Sequence, residues 1–199
     1  NNINILKKKI ENDKEINELE IAVLACYIPL YTSKSIIKKL SNYKSTNILF
    51  NDLINVQIKE PLKELTLAKS IKSLDKINDS VSKKVKTQYE EHPYPRWRSF
   101  IKYMPYNFNI YQNSEINPNK IELDNKFNNP NVLIAGCGTG RHLINTLRYK
   151  NANILGVDLS LASLSYAKRK IEELGLKNIE LLNTDILHLN KLNKKFDII

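Results

Sequence analysis

Apolar residues in the first part of the chain recur at helical spacing. Over residues 1–40 they fall at Ile10, Ile16, Leu19, Ala22, Val23 and Cys26 among polar neighbours, the three-to-four-residue rhythm of amphipathic helices. The rhythm resumes from about residue 47 to 72, at Ile48, Leu49, Leu53 and Ile54, and then at Leu62, Leu65, Leu67 and Ala68 behind Pro61. Proline is tolerated at the first position of a helix, where its missing N–H would be unpaired anyway. Pro61 is therefore expected to open a helix of its own. Another helix is expected over Asp79–Glu91, and no internal repeat of fixed period is visible.

The pattern breaks at residue 92. HPYPRW places two prolines, rings and an arginine within six residues, which cannot continue a helix. The stretch that follows, up to the start of the next apolar run, is rich in Asn, Tyr and Pro and reads as linker and loop. From Asn131 short apolar runs alternate with amphipathic ones. Strands are expected at Val132–Ala135, Ile154–Val157 and Ile179–Leu182, with the start of a fourth at Phe196–Ile199. Helices are expected at Arg141–Tyr149 and Leu161–Leu174, the latter stopped by Gly175. This alternation predicts parallel strands joined by crossover helices, an α/β, doubly wound, Rossmann-like sheet. The expected partition is a helical N-terminal segment over 1–91, a linker or lid over 92–130, and an α/β unit over 131–199.

Composition narrows the partners. The formal charge is +10, yet only five of the 31 basic residues are Arg, the side chain best suited to bidentate recognition of phosphates and bases. The lysines are dispersed, and Asn, Ile and Lys are all abundant, as AT-rich codons would produce. A nucleic-acid partner is thus the weaker reading of the charge. Cys26 and Cys137 are the only cysteines, too few for a disulfide framework or a zinc site, and they suit a cytoplasmic location. No metal site is expected. The longest apolar stretch, Ile21–Tyr31, is too short to span a bilayer and is broken by Pro29. It follows an acidic run rather than a basic one, against a signal peptide. The chain opens on Asn rather than Met, so its first residue is not expected to be the natural start.

The chemistry concentrates after the first strand of the α/β unit. VLIAGCGTG, Val132–Gly140, is an apolar strand running into a glycine-rich turn and then a helix. Glycines there allow a ligand to lie close over the backbone. The same turn would also serve simple chain reversal or another nucleotide. Gly136, Gly138 and Gly140 follow a Gly-x-Gly-x-Gly pattern, with Arg141 after them. A dinucleotide turn wants its third glycine one position later, beneath a pyrophosphate, so the pattern disfavours a nicotinamide or flavin enzyme. Asp158 ends the second strand, ILGVD, where a carboxylate can accept from both hydroxyls of a ribose. Its alternative role is to cap the helix that follows, in competition with Ser160. Asp185, just past IELLN, can accept from an exocyclic adenine amine while Ile186 packs on the ring; its alternative is a solvated turn. His188 reads as a surface residue.

Taken together, VLIAGCGTGRH, GVDLSLASLSYAKRK, NTDIL and FDII resemble, in order and spacing, the successive motifs of class I S-adenosylmethionine-dependent methyltransferases. The resemblance covers residues 131–199. It implies S-adenosyl-L-methionine as cofactor, with Gly136, Cys137, Gly138 and Gly140 around the methionine part, Asp158 and Leu159 at the ribose, and Asp185 and Ile186 at the adenine. Upstream, QIKEPL and VSKKVKTQYEEHPYPRW are similar to a lead-in of bacterial methyltransferases with no assigned substrate, with His92 where Asn is more usual.

Methyl transfer is an in-line displacement at a sulfonium carbon, so positioning dominates. The favoured expectation is a methyltransferase acting on a protein or small molecule. A non-catalytic or truncated module of the same fold is the alternative, and a nucleic-acid methyltransferase a further one. No catalytic base can be named. Tyr89, Tyr94, Arg96 and Trp97 are expected to form a lid over the methionine end, Arg96 pairing with its carboxylate; the competing reading is that Tyr94 and Trp97 pack the linker onto the domain. A class I sheet normally has more strands than this sequence supplies. The chain is therefore expected to be C-terminally incomplete, active only when extended or when a partner chain completes the sheet.

Overall fold

The computed structural model describes residues 2–13, 15–101, 103–122 and 125–199. The chain forms two compact units, residues 1–66 and 67–199. The division falls within a helix rather than at residue 91, where the sequence changes character.

The first unit is all helical: α1 (Asn2–Asn12), α2 (Glu18–Ala25), α3 (Lys34–Leu40) and α4 (Ile48–Ile54). Asn17, Ser33 and Asn47 cap α2, α3 and α4, each side-chain oxygen accepting a backbone N–H of the first turn. The core comprises Ile10, Ile21, Leu24, Leu30, Ile36, Leu40, Phe50, Ile54 and Ile58. On α2 the inward residues are Ile21 and Leu24, whereas Leu19 and Val23 face outward. After Glu20 this helix is apolar all round, so spacing alone does not say which side is buried.

Pro61 does not open a helix. From α4 the chain passes through a π-helical stretch, Asn55–Lys59, straight into α5 (Glu60–Ala68). The wider turns before Pro61 fit a ring that cannot donate to the helix and would crowd the carbonyl four residues back.

The second unit holds a four-stranded parallel sheet of β1 (Lys72–Ser73), β2 (Asn131–Ala135), β3 (Asn153–Asp158) and β4 (Ile179–Asn183), in the order β1-β4-β3-β2. β1 lies in a stretch expected to be helical. The expected fourth strand at Phe196–Ile199 is a single parallel bridge, Ile198 to Val132, on the outer side of β2. The remaining helices are α6 (Ser80–Glu91), α7 (Phe108–Glu115), α8 (Arg141–Asn145) and α9 (Leu161–Glu173). α8 is shorter than its sequence suggests, since Thr146–Arg148 tightens into a 3-10 turn.

Residues of β2 and β3 alternate between two cores, as strand geometry requires. Val132 and Ile154 pack with Leu143, Leu164, Ala167 and Ile171 from α8 and α9. Leu133, Leu155 and Val157 point the other way, against Leu189, Leu192 and Phe196. Residues 92–130 are more than a linker. Trp97 is buried against Ile144 and Tyr166, and Phe108 on α7 stacks with Phe127 and meets Tyr149 edge-on. Tyr106 bridges to Tyr149. Among the described residues, no helix is long and apolar enough to cross a membrane.

Candidate functional site

The C-terminal ends of β2, β3 and β4 bring the glycine turn, Asp158 and Asp185 to one rim of the sheet. In-register parallel pairing sets this out, with Ala135 beside Val157 and Asp158 beside Asn183. Gly136, Gly138 and Gly140 all have positive φ, which an L side chain rarely adopts. Gly136 and Cys137 donate their N–H groups to Val157 O, each at 2.9 Å, so the turn folds back over the end of β3.

Asp158 braces this arrangement. Its Oδ2 accepts from Gly138 N at 2.8 Å and its Oδ1 from Ser160 N at 2.8 Å. A carboxylate has about four lone-pair positions, so both oxygens retain acceptor capacity for a ligand. Burial raises the pKa of Asp158, and the nearby charge of Glu90 raises it further, while the N–H bonds from Ser160 and Gly138 oppose the shift. The helix cap is Ser160, whose Oγ accepts from Ser163 N at 3.0 Å.

Asp185 is not a solvated turn residue: it is 1% exposed. Its Oδ1 accepts from Leu187 N at 3.0 Å, but its buried Oδ2 has no hydrogen-bond partner. An orphaned buried carboxylate oxygen costs free energy unless a donor completes it. Ile186 beside it is 53% exposed and offers an apolar surface, and Leu159 is half-buried. His188 lies 3.8 Å from Asp75.

Other proposed contacts sit differently. The Cys137 side chain is buried in the core, its thiol pKa pushed up by burial, so only its backbone is available to a ligand. At Gly140 an added Cβ would stand 2.8 Å from Ala167 Cβ, so close packing of the turn on α9 calls for glycine there as well as the positive φ does.

The lead-in strap is held to this rim largely through its carbonyls. Ser160 Oγ donates to Tyr89 O at 3.1 Å, Thr139 Oγ1 to Pro95 O at 2.6 Å, and the Tyr166 hydroxyl to Trp97 O. Trp97 Nε1 donates to Thr139 O at 3.0 Å. Trp97 is thus an anchor that packs the strap onto the domain, rather than a lid. Arg96 lies over the Tyr166 ring at 4.6 Å. Tyr94 is 76% exposed, and its carbonyl is 4.0 Å from the place a Cβ on Gly138 would occupy.

Three residues were not singled out by sequence reasoning. Asn183 is buried, and its Nδ2 donates to Asp158 O at 3.0 Å and Leu159 O at 2.8 Å, tying β4 to the turn after β3. Gly156 leaves room for Leu143, Leu181 and Cys137 Sγ, each within 3.1 Å of a Cβ built there. Glu90 caps α9 from α6. The one available signal was the polar pair Asn183-Thr184 breaking the apolar run before Asp185. Among the described residues, no group of His, Cys, Asp and Glu is placed to hold a metal ion.

Residues 132–199 match the family model for a methyltransferase domain. An uncharacterized protein of Rickettsia prowazekii is 33% identical over 120 residues, which is 60% of this chain and 46% of that protein. A tRNA (guanine-N(7)-)-methyltransferase of Rubrobacter xylanophilus is 41% identical over 64 residues, 32% of this chain and 29% of that enzyme. The chain therefore spans less than half the length of either relative. PKMT2 from Rickettsia typhi, solved in complex with AdoHcy, aligns with a TM-score of 0.37 at 28% identity, covering 50% of this chain and 20% of that one.

Proposed function

We propose, from the premise that residues 132–199 are the cofactor-binding part of a class I S-adenosylmethionine-dependent methyltransferase domain, that the protein transfers a methyl group to a protein or small-molecule acceptor. The observation that carries the cofactor assignment is Asp185, a carboxylate buried at the sheet rim with one oxygen unpaired, next to the exposed face of Ile186. An exocyclic adenine amine is a donor of the right kind for that oxygen, and Ile186 gives the ring an apolar surface.

The other residues follow in order along the rim. Asp158 accepts the ribose hydroxyls with the lone pairs left by Gly138 and Ser160. Gly136 and Gly138 let the methionine part approach the backbone, with the Cys137 main chain between them and Tyr94 flanking Gly138. Leu159, held through its carbonyl by Asn183, lies beside the ribose. Arg96 answers the methionine carboxylate by leaving its place over Tyr166. Bound S-adenosylmethionine supplies a methyl group already activated by a positive sulfur; the chain's own part is to bind and orient.

The test is titration of the full-length protein with S-adenosylhomocysteine, followed by transfer of labelled methyl from S-adenosylmethionine to fractionated protein and small-molecule pools. Saturable binding and label in either pool are expected. Absence of binding overturns the reading, and binding without transfer to any pool favours a non-catalytic module. Label appearing in RNA instead would move the acceptor to nucleic acid.

A further inference from the structure

Glu90 stands at the end of α6, in the QYEEHPYPRW lead-in and about seventy residues before Asp158, yet its carboxylate closes the start of α9. Oε1 accepts from Leu161 N at 2.6 Å and Oε2 from Ala162 N at 3.1 Å. With Ser160 Oγ accepting from Ser163 N, the first three N–H groups of the helix are bound by acceptors of the protein itself. The residue before them, Ser160, gives its N–H to Asp158 and its hydroxyl to Tyr89 O. The turn Asp158–Ala162 is therefore pinned from two sides: by Asp158 from within and by the end of α6 from outside.

We infer that Glu90 is a positioning residue for the cofactor, fixing the turn after β3 so that the carboxylate of Asp158 stands where the ribose hydroxyls arrive. This rests on the cofactor reading above. The geometry distinguishes Glu90 from an ordinary surface acid, because both of its oxygens are spent on consecutive backbone donors of a helix on another segment, a pairing that a charge-assisted hydrogen bond strengthens. It also places a second negative charge near Asp158. The groups facing Asp158 are Glu90 from α6, the Cys137 thiol and the Gly138 N–H from the glycine turn, and the Ser160 N–H.

Two variants separate position from charge. Glu90→Gln keeps the length but removes the charge and one of the two acceptors. Glu90→Asp keeps the charge but is too short to reach both N–H groups. In the full-length protein, Glu90→Gln is expected to bind S-adenosylhomocysteine about tenfold more weakly at pH 8. The acid limb of its affinity should also move to lower pH, because the charge that raises the pKa of Asp158 is gone. Glu90→Asp should weaken binding similarly while the limb stays near its wild-type position. In both variants the Leu161 and Ala162 amides should exchange hydrogen faster without any cofactor present, a readout independent of the cofactor reading. Wild-type affinity and an unmoved limb in Glu90→Gln, with unchanged exchange at those amides, would overturn the inference while leaving the cofactor reading intact. If Glu90→Gln loses its cooperative melt, Glu90→Asp decides, and wild-type affinity there overturns the inference. A wild-type protein that binds no S-adenosylhomocysteine overturns both.

Discussion

Burial raises the pKa of Asp158 above the ordinary aspartate value of 3.8, and this has two consequences of opposite sign. Without ligand, the shift contributes stability that is fully present below 3.8 and is lost as pH rises through the raised value. Ribose binding needs the ionised form, so affinity for S-adenosylhomocysteine should begin to fall, on acidification, at a higher pH than a solvated aspartate would give. Calorimetric titration between pH 8 and 5 reads this directly. Asp158→Ala should cost on the order of tenfold to a hundredfold in affinity at pH 8, and unchanged affinity would reduce Asp158 to a brace of the glycine turn. Asp158 and Asp185 could be singled out in the sequence because Asp158 closes an apolar run and Asp185 follows another after two polar residues, each at the end of an expected strand. Glu90 and Asn183 could not, since their partners are distant in the chain: Leu161 and Ala162 for one, the carbonyls of Asp158 and Leu159 for the other. No local pattern encodes such contacts.

At the scale of elements, β2, β3, β4 and α9 follow their apolar periods closely because each has a buried side fixed by sheet or helix geometry. β1 is two residues long and pairs only with β4, so it has no period to detect. α7 was hidden by the Asn-, Tyr- and Pro-rich composition around it; its core contacts are aromatic rings from elsewhere in the chain, Phe127 and Tyr149. The contact between the glycine turn and α9 gives a sharp test. Gly140→Ala places a Cβ 2.8 Å from Ala167 Cβ at a φ of +84°, and should destabilise the protein by about 1–3 kcal/mol in chemical denaturation. Adding Ala167→Gly should recover part of that loss, because it relieves the clash but leaves the strained φ. Trp97→Ala removes an anchor that is 7% exposed and should cost about 3–5 kcal/mol. An unchanged denaturation midpoint would mean that the strap contributes nothing to stability.

At the scale of the whole chain, residues 1–66 own a core drawn entirely from their own helices. A polypeptide of residues 1–66 should therefore show helical circular dichroism and a cooperative thermal melt, and a non-cooperative melt would mean that this core is insufficient alone. The attachment of the strap to the rest of the second unit bears on descent as well as on stability. The carbonyls of Tyr89, Pro95, Trp97 and Ser99 receive the bonds, and the donors are Ser160, Thr139, Tyr166 and Arg141. A carbonyl is supplied by any amino acid, whereas a hydroxyl or guanidinium is not. Lineages that keep this attachment are expected to retain these donor side chains while an exposed strap position such as His92 drifts. The ancestry of the strap would then be legible mainly in the residues that grip it.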